Sequence, residues 1–368
     1  MPLGDRPTVA RMGARWLVVL LAAAVLVGTP LAVQARPARP ISIAADDLAG
    51  RIERSASVPW SGLAETSGTL QVPDSDSFAN LAQLLGENNR LRVWWIDPDN
   101  WRVDRIRSTG ETDLFRHGAA SIRWVFESET ATITPVSTIR LPDASDLLPP
   151  TLGRTLLQGS RSDELAALPA RRVAGVDAAG VRLTPQDPAT TLDHIDVWAE
   201  PASGLPLRVE VYGPENSRPV LTTTLSDVDL AAPDSSTTVF SPAQQVTLAY
   251  EDSVDVAAAA NASAPFDLPQ TLAGLASRSG DDPGAVGIYG RGPTTMIALP
   301  LRRSVAFPLR ERLRASSASR ETATGTLAPV GPVNVLVTRF GGGRSSFLLA
   351  GTVTADVLDR AVSELLAS

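Results

Sequence analysis

Residues 89–136 read NRLRVWWIDPDNWRVDRIRSTGETDLFRHGAASIRWVFESETATITPV, and this stretch constrains the fold most. Apolar runs rich in Trp, Val, Ile and Phe alternate with turn signals at Asp97-Pro98-Asp99-Asn100, Ser108-Thr109-Gly110, His117-Gly118 and Ser128-Glu129-Thr130. Runs of that length, punctuated that often, specify consecutive antiparallel strands joined by tight turns. A long meander must twist and curl, and its inner face must be covered or filled. Two of its strands carry apolar side chains on both faces: Val93 and Trp95 against Trp94 and Ile96, and Val125 against Ile122, Trp124 and Phe126. A sheet apolar on both faces needs two coverings, or one covering and one ligand.

Upstream, Ala45, Leu48, Ile52 and Ala56 space an amphipathic helix within 41–57. Residues 60–72 read as a strand and 77–85 as a short helix stopped by Gly86. Downstream, 141–150 is Pro- and Asp-rich and is expected as a loop, with short helices over 151–157 and 162–168. The β pattern resumes at Arg172. The Pro201–Gly204 turn joins two strands: Leu192, His194, Asp196 and Trp198 share one face against Ile195 and Val197, and Leu207, Val209 and Val211 oppose Arg208, Glu210 and Tyr212.

Residues 251–266 form an Ala/Ser/Asn-rich run with the composition of a linker. It separates an expected larger domain, 41–250, from a smaller α+β domain, 267–368. The smaller unit reads as a strand pair around Gly290–Pro293, a hairpin over 333–350 with Gly341–Gly343 at its tip, and a terminal helix over 354–366 whose apolar face is Val357, Leu358, Ala361 and Leu365. The Arg/Ser-rich residues 309–325 are expected as a mobile loop or exposed helix.

The first 35 residues are set apart from the fold. Arg6, Arg11 and Arg15 precede the apolar run Trp16–Val27, Pro30 interrupts it, and Val33-Gln34-Ala35 offers small residues for cleavage. This fits a signal peptide; an uncleaved anchor is the other reading. Both put the rest outside the cytoplasm.

Composition narrows the chemistry. With no lysine among 33 basic residues, a P-loop, a Schiff base and a pyridoxal phosphate site are excluded. With no cysteine, thiolate catalysis, disulfides and lipoprotein acylation are excluded. The net charge of −7 and the lack of a basic stripe argue against nucleic acid as a partner. No G-x-S-x-G elbow occurs. His117 and His194 fall on separate expected strands without metal-ligand spacing and are read as ordinary strand residues. Gly287–Gly292 reads as a hairpin turn, because Pro293 and not a helix follows. The basic cluster Arg302, Arg303, Arg310, Arg312 and Arg314 is a solvated loop or a docking patch for an acidic partner or anionic headgroup.

The order TSGTLQV, RLRVWWIDPDNWRVDRI, TDLFRHGAASIRWVFE, the hairpin VWAEPASGLPLRVEVY at 197–212 and the ending FLLAGTVTADVLDRAVSEL together resemble the RseB/MucB regulators of envelope stress. The larger domain of those regulators has the LolA/LolB-type lipoprotein carrier fold. The resemblance spans most of 41–367. It implies an α+β protein: a curved, unclosed antiparallel half-barrel with helices across its concave side and an apolar cavity between, plus a small C-terminal domain. Expected cavity residues are Val93, Trp95, Trp101, Leu114, Trp124, Phe126, Leu207 and Val209. The function so implied is non-enzymatic and cofactor-free: an envelope protein sensing a lipid or acyl chain and regulating a membrane-bound anti-sigma factor. A lipid or lipoprotein carrier is the alternative.

Overall fold

The computed structural model describes residues 16, 37–70, 79–136, 142–214, 217–241, 246–250, 268–278, 286–339 and 346–367. The leader, the 251–266 run and the Gly341–Gly343 tip lie outside the described residues, Trp16 apart.

The meander forms as its turns dictate. Helix α1 (Ala45–Arg54) leads into β1 (Trp60–Gly68) and α2 (Ala79–Gly86); then come β2 (Asn88–Asp97), β3 (Asn100–Arg107), β4 (Gly110–His117), β5 (Ala120–Val125) and β6 (Thr130–Pro135). The second half adds α3 (Pro149–Leu157), β7 (Leu165–Val173), β8 (Val176–Leu183), β9 (His194–Ala199), β10 (Pro206–Tyr212), β11 (Leu221–Asp229) and β12 (Thr247–Tyr250). All twelve strands join one sheet in the order β12-β6-β5-β4-β3-β2-β1-β11-β10-β9-β8-β7. β12 and β7 are its two edges, so the sheet is open, a half-barrel. Register shifts at Leu63/Ala64, Trp95/Asp97, Leu168/Arg171 and Pro206/Arg208 bend the strands.

Three local expectations need correction. Residues 141–150 are not simply a loop: Asp143 caps a 3-10 turn over Ala144–Leu147 by accepting from the Ser145 amide at 2.8 Å, and α3 already begins at Pro149. Proline suits that first turn, where its missing N–H is not needed. Residues 162–168 are not a helix, because a single 3-10 turn gives way to β7 at Leu165. The large sheet is also not wholly antiparallel, since β12 runs parallel to β6.

A second sheet holds β15 (Gly287–Arg291), β16 (Thr294–Leu301), β17 (Arg320–Glu321), β18 (Gly325–Val330), β19 (Val333–Thr338) and β20 (Ser346–Gly351), ordered β15-β16-β20-β19-β18-β17. The minimal pair β13 (Thr271–Leu272) and β14 (Leu275–Ala276) precedes it. Helix α4 (Arg303–Ala315) packs Ala306 and Leu313 against Ala328 and Val337. Helix α5 (Ala355–Ala367) buries Val357, Leu358, Ala361, Val362 and Leu365 in a core with Met296, Ala298, Leu336 and Leu349. The expected terminal helix is therefore present, and the Arg-rich stretch is helical from 303 despite Pro308.

The two sheets touch through specific groups. Arg291 grips the buried Glu164 carboxylate with two bonds, 2.8 and 2.6 Å, and donates to Gly159 O at 2.7 Å. Thr354 N donates to Ala189 O at 2.8 Å, and Thr191 N donates to Thr352 O at 3.1 Å. The β18–β19 turn reaches the larger core: Val330 and Val335 join it, and Gly331, at φ 59°, lies so close to Leu70 that a Cβ would stand 2.1 Å from Leu70 Cδ2.

Candidate functional site

Strand alternation gives the large sheet an inner face, which carries the helices, and an outer face. The inner face is continuous across paired positions: Trp95 opposite Trp60 and Trp101, Val103 opposite Val93 and Leu114, Val209 opposite Val197 and Thr223, and Val197 opposite Val181. α1 lies over β7 and β8 through Leu48, Ala49 and Ile52. α3 lies on β10 at close range, because Gly153 offers no side chain; a Cβ there would stand 3.0 Å from Pro206 Cγ and 3.3 Å from Val209 Cγ2. Trp95 and Trp101 stack in parallel with ring centroids 5.8 Å apart. Each indole N–H is satisfied, Trp95 by Ala56 O at 3.0 Å and Trp101 by Pro98 O at 3.1 Å. Buried tryptophans with partnered N–H groups are rigid anchors.

Six of the eight expected cavity residues, Val93, Trp95, Trp101, Leu114, Leu207 and Val209, therefore meet in one inner cluster. The other two do not join it. Trp124 is half-buried on the outer face, opposite Asp113, with Phe240 against it at 5.9 Å. Phe126 lies in the 3-10 turn after β5 and is 66% exposed.

Two inner-face cations were not singled out by the sequence reading. Arg154 of α3 lies over the Trp95 ring at 5.9 Å, and burial lowers its pKa to about 10. Arg105 of β3 is 7% exposed, and its Nε and Nη2 have no hydrogen-bond partner. Burial lowers its pKa too, with Arg107 adding to the effect and Glu87 opposing it. A guanidinium removed from water without a counter-charge in contact is costly. The signal that could have found Arg105 is its register, since it falls on the same side of β3 as Trp101 and Val103.

The outer face is built from ion pairs. Arg182 grips Asp196 with two bonds of 2.6 and 2.7 Å. Glu210 accepts from Arg208 at 2.7 Å, Tyr212 at 2.7 Å and Arg171 at 3.2 Å; its pKa is lowered by these partners against the opposing effect of burial. His194 stacks on Tyr212 at 4.1 Å. His117 is exposed at the end of β4, in a different part of the sheet, so the two histidines do not converge.

Further along, Arg102 lies between the rings of Trp94 and Phe115, at 5.1 and 4.9 Å, and pairs with Asp104 and Asp113. Burial, then the neighbouring Asp104 charge, pushes the Asp113 carboxyl up to about 7. Residues 230–241 pass over this region: the 3-10 turn Ser235–Thr238 lies against β2, β3 and β4, and Phe240 packs edge-on to Phe115 at 5.3 Å.

The basic cluster is placed on or beside α4. Arg302 precedes the helix, Arg303, Arg310, Arg312 and Arg314 lie on it, and Val305 and Phe307 are exposed on the same helix. Arg314 pairs with Glu311 at 2.8 Å and Glu321 at 2.7 Å.

The fold and site together define a curved, open twelve-stranded sheet with helices on its inner face and a smaller sheet beside it. Solved structures similar to this chain include the Pseudomonas aeruginosa MucA/MucB complex, with 15% identity over 86% of this chain and 96% of that one and a TM-score of 0.48. A crystal structure of MucB is similar over 87% of this chain and 96% of its own, with 14% identity and a TM-score of 0.45. A LolA-superfamily protein from Nitrosomonas europaea is similar over 54% of this chain and 99% of its own, with 14% identity and a TM-score of 0.25. No family model and no curated protein matches the sequence.

Proposed function

We infer that this is a non-enzymatic, extracytoplasmic binding protein of the cell envelope, whose inner face takes a lipid or acylated ligand with an acidic group. The observation that carries this reading is Arg154 held over Trp95 beside an apolar cluster, with burial as the sole cause of its lowered pKa. An acyl chain matches the apolar residues and an acidic headgroup matches the cation. The unpartnered nitrogens of Arg105 supply a second such position on that face. In this reading residues 41–250 and 267–368 act as two domains joined by 251–266, and ligand occupancy regulates their grip on a membrane-bound anti-sigma factor. The arginines around α4 offer an acidic segment of such a partner a docking surface.

Lipid extraction of the purified chain followed by mass spectrometry tests the ligand. An acidic amphiphile recovered from the parent and lost from Arg154→Gln supports the reading; equal recovery from both overturns it. The carrier alternative rests on the same apolar face. It expects net lipid transfer between two vesicle populations, whereas the regulatory reading expects ligand to change affinity for the partner segment without transfer.

A further inference from the structure

On the outer face of the β3–β4 pair, Asp104 and Asp113 are direct cross-strand partners. Like charges opposite one another in a sheet repel, so this pairing needs compensation. Arg102 supplies part of it: its Nε donates to Asp104 Oδ1 at 2.6 Å and its Nη2 to Asp113 Oδ2 at 2.9 Å. That uses one oxygen of each carboxylate. Glu111, the preceding outer-face residue of β4, brings a third carboxylate, and one oxygen from each of the three lies within 4.8 Å of the others. Asp113 is 6% exposed, and its Oδ1 is buried without a hydrogen-bond partner. A buried carboxylate oxygen with nothing to accept from is unfavourable unless a proton or a ligand meets it.

Arg102 is the guanidinium in contact with Asp104 and Asp113, and Arg92 stands opposite Asp104 on β2. We propose that Asp104, Glu111 and Asp113 form a binding site for a hard divalent cation of the calcium class. Two oxygens on one calcium ion, each about 2.3–2.6 Å from it, stand up to about 5 Å apart, which accommodates the observed spacing. The donors are all carboxylate oxygens, which favours calcium, magnesium or manganese over zinc or copper. Three protein ligands leave positions for water, and the half-buried Glu111 provides the way in. The bound ion would neutralise the Asp104–Asp113 repulsion and fasten the β3–β4 hairpin beneath residues 230–241.

The test uses terbium as the calcium surrogate on the full chain freed of metal. Trp124 stands opposite Asp113, and Trp94 covers Arg102, so indole excitation sensitises an ion held between them. Terbium emission that calcium displaces is expected, with affinity about tenfold or more weaker in Glu111→Gln and Asp113→Asn. Glu111→Gln removes no hydrogen bond of the fold, so it separates ligand loss from unfolding. Trp124→Phe should dim the emission while the calcium-induced rise in melting temperature persists. Emission that calcium does not displace, or equal emission from the parent and both carboxylate variants, overturns the proposal, since the ion would then be adventitious or elsewhere.

Discussion

The inner and outer faces of the large sheet come from the same strands, yet they are held by different physics. On β10, Leu207 and Val209 go inward and are fully buried, while Arg208, Glu210 and Tyr212 go outward into an ion-paired cluster. On β3, Val103 goes inward and Arg102 and Asp104 go outward. Inner stability therefore scales with apolar area, and outer stability with matched charges that contribute little each when exposed. The contrast also separates two kinds of arginine. The named outer arginines Arg102, Arg171, Arg182 and Arg208 have carboxylate partners, whereas Arg105 and Arg154 on the inner side have none in contact.

The largest effect should come from placing an outer-type residue on the inner face. Trp95→Glu buries an unpaired carboxylate beside Trp101 and removes the bond to Ala56 O. A loss of about 4 kcal/mol or more is expected in urea melts. Trp124→Glu, on the half-buried outer side, should cost about 1–2 kcal/mol and leave acyl-ligand binding intact. Equal losses from the two variants would erase the distinction between the faces.

Much of that distinction is legible in sequence, and the reasons are local. The Asp97–Asn100 and Ser108–Gly110 turns fix strand ends, and period-two alternation on β10 sorts its faces without reference to anything distant. The apolar character of both faces at β2 and β5 reads as a demand for two coverings, or for one covering and one ligand. What the sequence does not show is which segment supplies the second. Residues 230–241 carry no periodic pattern, and only the long-range return that sets Phe240 on Phe115 and Trp124 gives them a role. β12 is hidden for the same reason: four residues pairing parallel to a strand over a hundred positions earlier leave no local signature. Arg105 and Arg154 were passed over because an arginine in sequence looks solvated until its neighbours are placed.

The contact between the two sheets gives the next largest effect, and a pH dependence. Arg291→Ala leaves the Glu164 carboxylate buried with backbone donors from Arg161 and Gln186 and the Arg161 guanidinium at 3.9 Å. The expected loss is about 1–3 kcal/mol. Proteolysis that separates the small unit from the large one should speed up accordingly. The Arg291 bonds hold the Glu164 pKa at about 2, below its ordinary 4.5. A lowered carboxylate pKa contributes stability that is complete above the unfolded value and is lost as pH falls through the folded one. The parent should therefore lose stability between about pH 4.5 and 2 beyond what Glu164→Gln loses; parallel acid profiles for the two would contradict this.

A smaller loss is expected where the outer face borrows an apolar covering. Phe240→Ala removes ring contacts to Phe115 and Trp124 without opening the inner core. About 1–2 kcal/mol is expected, with Trp124 fluorescence moving to the red as water reaches it. An unshifted emission would mean that residues 230–241 do not cover this part of the sheet in solution.

The smallest effect should fall on a single outer hydrogen bond. Tyr212→Phe deletes the donation to Glu210 Oε2 at 2.7 Å but keeps the ring, so its stacking on His194 at 4.1 Å survives. Glu210 retains Arg208 at 2.7 Å and Arg171 at 3.2 Å, so its charge is not stranded. The net cost of one replaceable bond is about 0.5–1 kcal/mol. The comparison sharpens when Arg208→Ala is added. If the outer face works as a network, the double variant should lose more than the sum of the singles, because Glu210 is then left with Arg171 alone. If the singles simply add, the outer pairs act independently, and the face is a row of separate salt bridges.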